Sequence, residues 1–347
     1  MENILKEDLD LILENTLELW EEIRGKRIFI TGGTGFFGCW LLESFAWANT
    51  KLDLNSSALV LTRNPQAFRQ KAPHLYENPA VMFHTGDVRN FEFPDGGFTH
   101  VIHAATGTDT DTAVKDPVSM FEGMVQGTRR TLDFASRCNA RKFLCMSSGA
   151  VYGKQPSDLS YIPEDHAGAP EMMNPASAYG EAKRVSEFLA AVFAKHYGFE
   201  AKIARCFTFV GPYMRLDANY AIGNFIGNVL KNEPILVKGD GTPYRSYLYA
   251  ADLAIWLWTI LFRGVSCRPY NVGSDVEVTI ADLARAVADV SNVRQPVYIS
   301  KEASADKPAD RYVPSVQRAK SELALKQNID LQEAIRRTIY WHSMQQQ

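Results

Sequence analysis

Cysteine is sparse in this sequence. Its five residues, at positions 39, 138, 145, 206 and 267, lie far apart and form no Cys-x-x-Cys pair. A disulfide framework or a cysteine-ligated metal site needs closely matched cysteines, so reduced thiols and no metal are expected. Neither sign of charge dominates, since the net charge is -3, and this argues against a nucleic-acid partner.

Long hydrophobic runs are also missing. The longest, residues 250–262, is too short to cross a bilayer and includes Asp252. The N-terminus is acidic, whereas a signal peptide begins with basic residues. The composition therefore predicts a cytoplasmic protein without a membrane partner, and 347 residues suffice for a large core in two lobes.

A glycine-rich stretch follows the first predicted strand, residues 28–30. Glycines occur at 32, 35 and 38, followed by apolar residues at helical spacing: Trp40, Leu41, Leu42 and Phe45. A strand, tight turn and helix of this kind hold a dinucleotide pyrophosphate at the helix N-terminus. Gly32 would permit the turn, Gly35 would let backbone N–H groups approach the phosphates, and Gly38 would let the helix pack on the strand.

The second predicted strand, residues 58–62, bears on the choice of cofactor. An acidic residue after this strand favours NAD, whereas an arginine can pair with the 2′-phosphate of NADP. No Asp or Glu occurs in 58–71, and Arg63 follows the strand directly. We therefore expect NADP or NAD with a lean towards NADP, although Arg63 as a solvated surface charge would fit as well.

Strands and helices alternate through the first two hundred residues. Further strands are predicted at 81–83, 101–105 and 143–148, and helices at 121–138 and from Ala178. This alternation predicts a parallel, doubly wound sheet. His100 and His103 lie on a strand without a third metal ligand nearby, so they are expected to be structural.

Tyr179 and Lys183 are one turn apart on a predicted helix and share a face. A tyrosine with its ordinary pKa of about 10 is a poor base at neutral pH, but a neighbouring ammonium favours the phenolate. Ser148 ends a predicted strand, at the edge where ligands of such sheets bind. The three residues are candidates for proton transfer to or from a substrate oxygen.

With these motifs the chain resembles an extended short-chain dehydrogenase/reductase of the nucleotide-sugar epimerase/dehydratase family. The matching stretches are Thr31–Gly38, Gly86–Val88, His103–Ala105, Ser147–Ser148, Val151–Gly153, Tyr179 with Lys183, Gly239–Ser246, Ala251–Leu253, Tyr270–Gly273 and Arg311. They extend from about residue 25 to residue 320. The resemblance implies an enzyme that binds NAD(P) and a nucleoside-diphosphate sugar, in a homodimer.

The resemblance also implies roles for individual residues. Tyr179 would be the acid/base, Lys183 would bind the nicotinamide ribose and lower the tyrosine pKa, and Ser148 would orient the sugar oxygen. The implied cofactor contacts are Gly32, Gly35, Phe36, Phe37 and Gly38 at the pyrophosphate, Asp87 and Val88 beside adenine, and Ala104, Ala105 and Thr106 along the cofactor. The implied substrate contacts are Ser148, Thr208, Asn224, Arg245 and Arg311. A guanidinium at Arg245 could bind a diphosphate, although a structural ion pair would explain it too.

Four positions, in three places of the pattern, depart from the family. Gly149 and Ala150 stand where dehydratases carry Asp-Glu, and where decarboxylases carry Glu at the second position. Neither can act as an acid or a base, so dehydration and decarboxylation are ranked below simple redox chemistry. Met124 and Thr208 each replace a usual Asn, and the second change puts one substrate contact in doubt.

We therefore expect an α/β, Rossmann-type doubly wound parallel sheet with a smaller, interleaved C-terminal substrate-binding lobe. An N-terminal amphipathic helix would cover 1–24. The NAD(P)-binding domain would cover 25–207, with 247–275 returning to it, and the sugar-nucleotide lobe would comprise 208–246 and 276–347.

The expected function is hydride transfer at sugar C4, by a 4-epimerase or a 4-keto reductase. A decarboxylase or 4,6-dehydratase with atypical residues is the alternative. A non-catalytic NADP-sensing protein is an alternative of another class.

Overall fold

The computed structural model describes residues 3–106, 116–218, 220–290, 295–304 and 308–345. Seven strands form one sheet, in the spatial order β11-β6-β5-β4-β1-β2-β3, and every neighbouring pair is parallel. They are β1 (Arg27–Thr31), β2 (Ser57–Thr62), β3 (Val81–Thr85), β4 (His100–His103), β5 (Lys142–Ser148), β6 (Glu200–Cys206) and β11 (Pro269–Val272).

Helices cover both faces of this sheet. They are α1 (Lys6–Thr16), α2 (Phe36–Lys51), α3 (Pro65–Lys71), α4 (Pro73–Tyr76), α5 (Pro117–Arg137), α6 (Ala178–Tyr197) and α8 (Ala250–Arg263). Alternate residues of β1 show the two layers, because Ile28 and Ile30 pack into one core with α2 and α8, while Phe29 packs into the other with Phe134 of α5. Burial on both faces explains why these strands are continuously apolar.

The smaller elements lie mainly towards the C-terminus. Short strands form three further sheets: β7 (Phe209–Val210) with β10 (Leu248–Tyr249), β8 (Ile235–Val237) with β13 (Val297–Ile299), and β12 (Glu277–Thr279) with β9 (Tyr244–Ser246) and β14 (Arg311–Tyr312). The remaining helices are α7 (Ala221–Leu230), α9 (Ile280–Val290), α10 (Gln317–Leu323) and α11 (Leu331–Gln345). The backbone N–H of Glu333 donates to Asp330 Oδ1 at 2.8 Å, which caps α11.

The N-terminal segment differs from the single helix that its pattern predicts. The α-helix ends at Thr16, and Leu17–Ile23 continue as a 3-10 helix. Trp20 in this second part packs against Trp258 of α8, with ring centroids 4.7 Å apart. The tighter winding lets the buried Trp20 and Ile23 face α8, so packing against the body overrides the 3.6-residue pattern.

The strand predicted at 101–105 is shorter than expected. β4 ends at His103, and Ala104 leaves the sheet while its N–H still donates to Thr31 O at 3.0 Å. The chain then crosses the turn after β1, so residues 104–106 border the predicted cofactor site instead of extending the sheet.

Candidate active site

The turn between β1 and α2 has the geometry that the glycine spacing predicts. Gly32 has φ +71°, and a Cβ on it would lie 2.5 Å from backbone atoms of Ala104 and Ala105. A Cβ on Gly38 would lie 2.4 Å from Gly32 O, which explains the close approach of helix and turn. The N-cap residue Gly35 provides no side-chain cap to α2, and among the described residues the first N–H groups of the helix are therefore available to an anion. The cradle therefore fits a dinucleotide pyrophosphate.

Phe36 and Phe37 begin α2 and are half-buried. Phe37 packs edge-on against Phe209, with ring centroids 5.0 Å apart. Opposite them, the N–H of Ala105 donates to Thr31 Oγ1 at 3.3 Å, and Thr106 is also half-buried. These residues would contribute backbone amides and apolar walls around a cofactor, and their side chains carry no charge.

The other end of the predicted cofactor site carries charges of both signs. Arg63 is exposed at the end of β2. Asp87 accepts from Arg89 Nε at 2.8 Å, and this hydrogen bond, helped by the more distant charge of Arg63, holds the pKa of Asp87 below its ordinary value. Val88 lies under α5, where a Cβ on Gly127 would come within 2.9 Å of its Cγ1.

Ser148, Tyr179 and Lys183 converge beyond the carboxyl ends of the parallel strands. Ser148 is the last residue of β5 and is buried, and its Oγ accepts from Ala150 N at 3.2 Å. Tyr179 is the second residue of α6, and its buried phenol lies close enough to Ser148 for that hydroxyl to influence its pKa. Burial raises the pKa of Tyr179 above its ordinary value, while the Ser148 hydroxyl opposes this rise.

Lys183 lies one turn along α6. Its ammonium donates to Met146 O at 2.6 Å and lies 5.9 Å from the ring centroid of Tyr179. Burial lowers the pKa of Lys183 below its ordinary value, because the charged ammonium is removed from water. The structure thus places the three predicted residues together, with Lys183 bonded to the backbone of β5.

A half-buried ionic network adjoins this cluster, and the sequence analysis missed it. Glu187, one turn after Lys183, accepts from Ser147 Oγ and from Arg205 Nη2, the latter at 2.7 Å. Arg205 Nη1 also donates to Tyr152 Oη at 2.9 Å. The i+4 spacing of Glu187 from Lys183 was the only sequence feature that could have indicated it.

Tyr312 of β14 is a second residue that the sequence analysis missed. A Cβ on Gly149 would lie 2.7 Å from Tyr312 Oη and from Phe207 Cε1, so these two rings fill the space where a side chain at 149 would begin. The rings of Phe207 and Tyr312 pack with centroids 4.7 Å apart. Burial raises the pKa of the Tyr312 phenol as it does that of Tyr179, while the Ser148 hydroxyl lowers both.

The candidate substrate arginines are both paired with carboxylates. Arg245 Nη2 lies 2.9 Å from Asp310 Oδ2, and Arg311 Nη1 pairs with Glu277 while its guanidinium lies 4.0 Å from the Tyr244 ring centroid. All these residues belong to β9, β12, β14 or the segment before β14. The structural ion pair named above as the alternative to diphosphate binding at Arg245 is therefore present, and Arg311 has one as well. Both ion pairs hold the guanidinium groups on one small sheet.

The two polar candidates for substrate binding, Thr208 and Asn224, face backbone carbonyls. Thr208 Oγ1 donates to Ser246 O, next to Arg245. The Asn224 amide nitrogen faces Ala218 O at 2.9 Å and Leu216 O at 3.2 Å. Thr208 therefore ties the end of the large sheet to β9, and Asn224 holds the segment before α7.

Both strand histidines have hydrogen-bond partners. His103 Nδ1 bonds to Thr31 Oγ1 at 2.8 Å and Nε2 to Thr128 Oγ1 at 3.1 Å, and burial lowers the His103 pKa to about 3. His100 Nε2 bonds to Glu22 at 2.9 Å. Within the described ranges, no group of three or more His, Cys, Asp or Glu side chains could hold a metal ion. In the same residues, no helix is long and apolar enough to cross a membrane.

Comparisons with known proteins agree with this architecture. The sequence model of the NAD dependent epimerase/dehydratase family matches residues 28–273. UDP-glucuronic acid decarboxylase 1 of Arabidopsis thaliana is 29% identical over 316 residues, covering 90% of this chain and 69% of the plant protein.

Two solved structures show the same fold over nearly the whole chain. An epimerase from Methanothermobacter thermautotrophicus superimposes with a TM-score of 0.79 at 20% identity, covering 96% of this chain and 97% of the other. UDP-glucuronic acid 4-epimerase from Bacillus cereus, in complex with UDP-glucuronic acid and NAD, gives 0.77 at 21% identity, covering 92% and 99%. The predicted Rossmann-type fold is confirmed.

Proposed function

This chain is an enzyme of the NAD-dependent epimerase/dehydratase family, and from that premise we propose that it transfers a hydride at C4 of a nucleoside-diphosphate sugar. The observation that carries the proposal is the convergence of Ser148, Tyr179 and Lys183 beside the glycine cradle of β1 and α2. A hydroxyl, a phenol and an ammonium at this edge can bind and deprotonate a sugar hydroxyl while hydride leaves its carbon.

A bound nicotinamide dinucleotide would supply the hydride acceptor and, when oxidised, a positive charge near the phenol. Tyr179 takes the hydroxyl proton of the substrate, and Ser148 donates to the same oxygen as negative charge develops on it. Burial works against phenolate formation at Tyr179, and the Ser148 hydroxyl opposes this effect. The Lys183 ammonium, 5.9 Å from the ring centroid, would favour the phenolate further. On reduction of the keto sugar, Tyr179 returns the proton.

The substrate nucleotide would bind in the lobe formed by 208–246 and 276–347. Arg245 and Arg311 are the candidates for its diphosphate, and Thr208 and Asn224 are the further candidates for substrate contacts. Arg245 is half-buried and its partner Asp310 is exposed. A diphosphate could therefore displace this carboxylate or share the Arg245 guanidinium with it, and the guanidinium charge would stay balanced in either case.

Two outcomes share this apparatus. A 4-epimerase would oxidise C4 and reduce the other face of the keto sugar with the same cofactor, whereas a 4-keto reductase would consume added cofactor. Loss of water needs an acid and a base, and Gly149 and Ala150 provide neither, which supports either outcome over dehydration. Phe207 and Tyr312 also fill the space where a side chain at 149 would begin.

Decarboxylation is the second candidate, and the names of the curated relatives favour it. If the substrate carries a carboxylate on C5, oxidation at C4 makes it a β-keto acid. Carbon dioxide then leaves with its bonding electrons retained as the enolate, C5 takes a proton, and C4 is reduced again. Departure of carbon dioxide itself needs no acid, so Gly149 and Ala150 weigh less against this reaction than against dehydration.

Native mass spectrometry followed by a scan of sugar nucleotides, including uronic acid forms, tests these proposals. Retained cofactor with isomerisation of the sugar identifies an epimerase, and release of carbon dioxide identifies a decarboxylase. Turnover only with added reduced cofactor and a 4-keto sugar identifies a reductase. No conversion of any sugar nucleotide by cofactor-loaded protein contradicts the proposed function, and the same mass spectrum tests for the homodimer.

Replacement of Arg63 tests the lean towards NADP. We expect Arg63→Ser to weaken NADP binding about tenfold, as loss of one phosphate contact would, and to leave NAD binding within twofold. Arg69→Ser is the matched control, because Arg69 is an exposed arginine of the next helix that pairs with Glu77. Titration calorimetry with both dinucleotides checks this. Equal effects of Arg63→Ser on the two cofactors would show that Arg63 is a solvated surface charge.

A further inference from the structure

Lys71 ends α3 beside the turn that follows β1. Its ammonium donates to Thr34 O at 3.0 Å, and Thr34 lies between the glycines at 33 and 35 in the turn that forms the cradle. Lys71 is exposed, and its ammonium lies 5.7 Å from the ring centroid of Tyr213. The fold thus brings a lysine from 37 positions further along the chain directly onto the turn.

Arg63 approaches the same turn from the end of β2. Thr31 of β1 lies opposite Leu61 of β2, so Arg63 leaves the sheet at the level of the turn. A Cβ on Gly33 would lie 2.7 Å from Val60 Cγ1, which shows that the turn packs directly on β2. Two exposed cations therefore border the turn, one at the end of the neighbouring strand and one bonded to a carbonyl of the turn itself.

Within the described part of the chain, neither Lys71 nor Arg63 forms an ion pair. Asp87, which follows the next strand of the sheet, pairs instead with Arg89 Nε at 2.8 Å, so its carboxylate is already engaged. Exposed cations without an acidic partner attract an anionic ligand to the surface that they share. The two charges are therefore available to a ligand that binds in the cradle.

A dinucleotide bound in the cradle would place its adenosine ribose beside these cations. Its pyrophosphate binds at the N-terminus of the helix after the turn, and the 2′ position of the ribose faces the residue after β2. In NADP this position carries a phosphate with a charge of about −1.5 to −2 at neutral pH, whereas NAD has an uncharged hydroxyl there. One guanidinium balances only part of the phosphate charge, and a second cation balances the rest.

We propose that Lys71 is the second cation of a 2′-phosphate site and, together with Arg63, selects NADP over NAD. An ammonium has three N–H donors, so Lys71 can keep its bond to Thr34 O and still donate to a phosphate oxygen. The bond to Thr34 also holds the charge at the turn, which lowers the entropic cost of ordering a flexible lysine when the ligand binds. The proposal rests on the proposed function for the nature of the cofactor.

Lys71→Met removes the charge and keeps a long side chain against Tyr213. We expect it to weaken the binding of NADP and of adenosine 2′,5′-bisphosphate about tenfold, and to leave NAD and adenosine 5′-monophosphate within twofold. Lys71→Arg keeps the charge and should retain the preference for the 2′-phosphate within about threefold. In the double variant of Lys71→Met with Arg63→Ser, the preference should vanish. Titration calorimetry measures all of these affinities without any turnover.

Lys51→Met is the matched control. Lys51 also ends a helix and lies over an aromatic ring, 4.8 Å from the Trp47 centroid, but at the end of α2 away from the turn. Equal weakening of all four ligands by Lys71→Met would show that Lys71 only supports the turn, and wild-type protein without a preference for NADP would show that no such site exists. Either result overturns the proposal. Selective NADP binding without conversion of any sugar nucleotide would support it and contradict the proposed function.

Discussion

Tyr179→Phe is expected to lower turnover of the sugar nucleotide by about 10³-fold, within the range that loss of a general acid/base produces, while cofactor binding stays intact. The phenol is buried beside Ser148, the residue near which the substrate oxygen would bind. Single-turnover kinetics with tightly bound cofactor measures the effect. Tyr197→Phe, at the exposed end of the same helix, is the control for loss of a tyrosine from α6.

The same variant separates an enzyme from a non-catalytic NADP sensor. A sensor would bind cofactor and respond to it equally with Phe at 179. Turnover within tenfold of wild type would contradict the assignment of Tyr179 as acid/base and direct attention to Tyr312 as the proton carrier. Loss of cofactor together with turnover would instead show that the variant disturbs the fold around the site.

Gly32→Ala is expected to abolish cofactor binding and to lower the free energy of unfolding by about 2–4 kcal/mol, the combined effect of a left-handed conformation and an overpacked contact. Gly32 has φ +71°, and its Cβ would lie 2.5 Å from the backbone of Ala104 and Ala105, which cannot give way as a flexible side chain could. The turn must open to admit the methyl group, and this displaces the N–H groups that would bind the pyrophosphate.

Gly25→Ala provides a matched control. Gly25 also has a left-handed conformation, with φ +64°, but nothing lies within 4 Å of the place where its Cβ would be. It should lose only the conformational part, about 1–2 kcal/mol, and keep the cofactor. Denaturant unfolding and dinucleotide titration on both variants check the comparison. Equal losses of stability and unchanged cofactor binding in Gly32→Ala would show that the turn is not the pyrophosphate site.

Several features could be predicted because they depend on neighbours along the chain. The strand, turn and helix around Gly32, the alternation that makes the sheet parallel, and the cap at Asp330 are all short-range patterns. The grouping of Ser148 with Tyr179 needed more. It depended on a resemblance to known proteins, because only the rule that parallel strands end at one edge relates their two segments.

Lengths of elements were less predictable where packing competes with periodicity. The 3.6-residue pattern before β1 does not reveal that Leu17–Ile23 tighten into a 3-10 helix, since that choice follows from contacts of Trp20 with α8. Likewise β4 ends at His103 because the chain must cross the turn at Gly32, which lies far away in sequence.

The sequence by itself determined the fold class and the glycine turn after β1, and it supplied the candidates for proton transfer, because spacing along one strand or helix decides which side chains share a face. Only the tertiary structure decided which contacts hold those residues in place and how much space is left around them. It joined Tyr312 to Phe207, Arg205 to Glu187 and Arg245 to Asp310, and the first two rings fill the space beside Gly149. These contacts join segments with no common period, so they exist only once the sheet and the C-terminal strands have packed together.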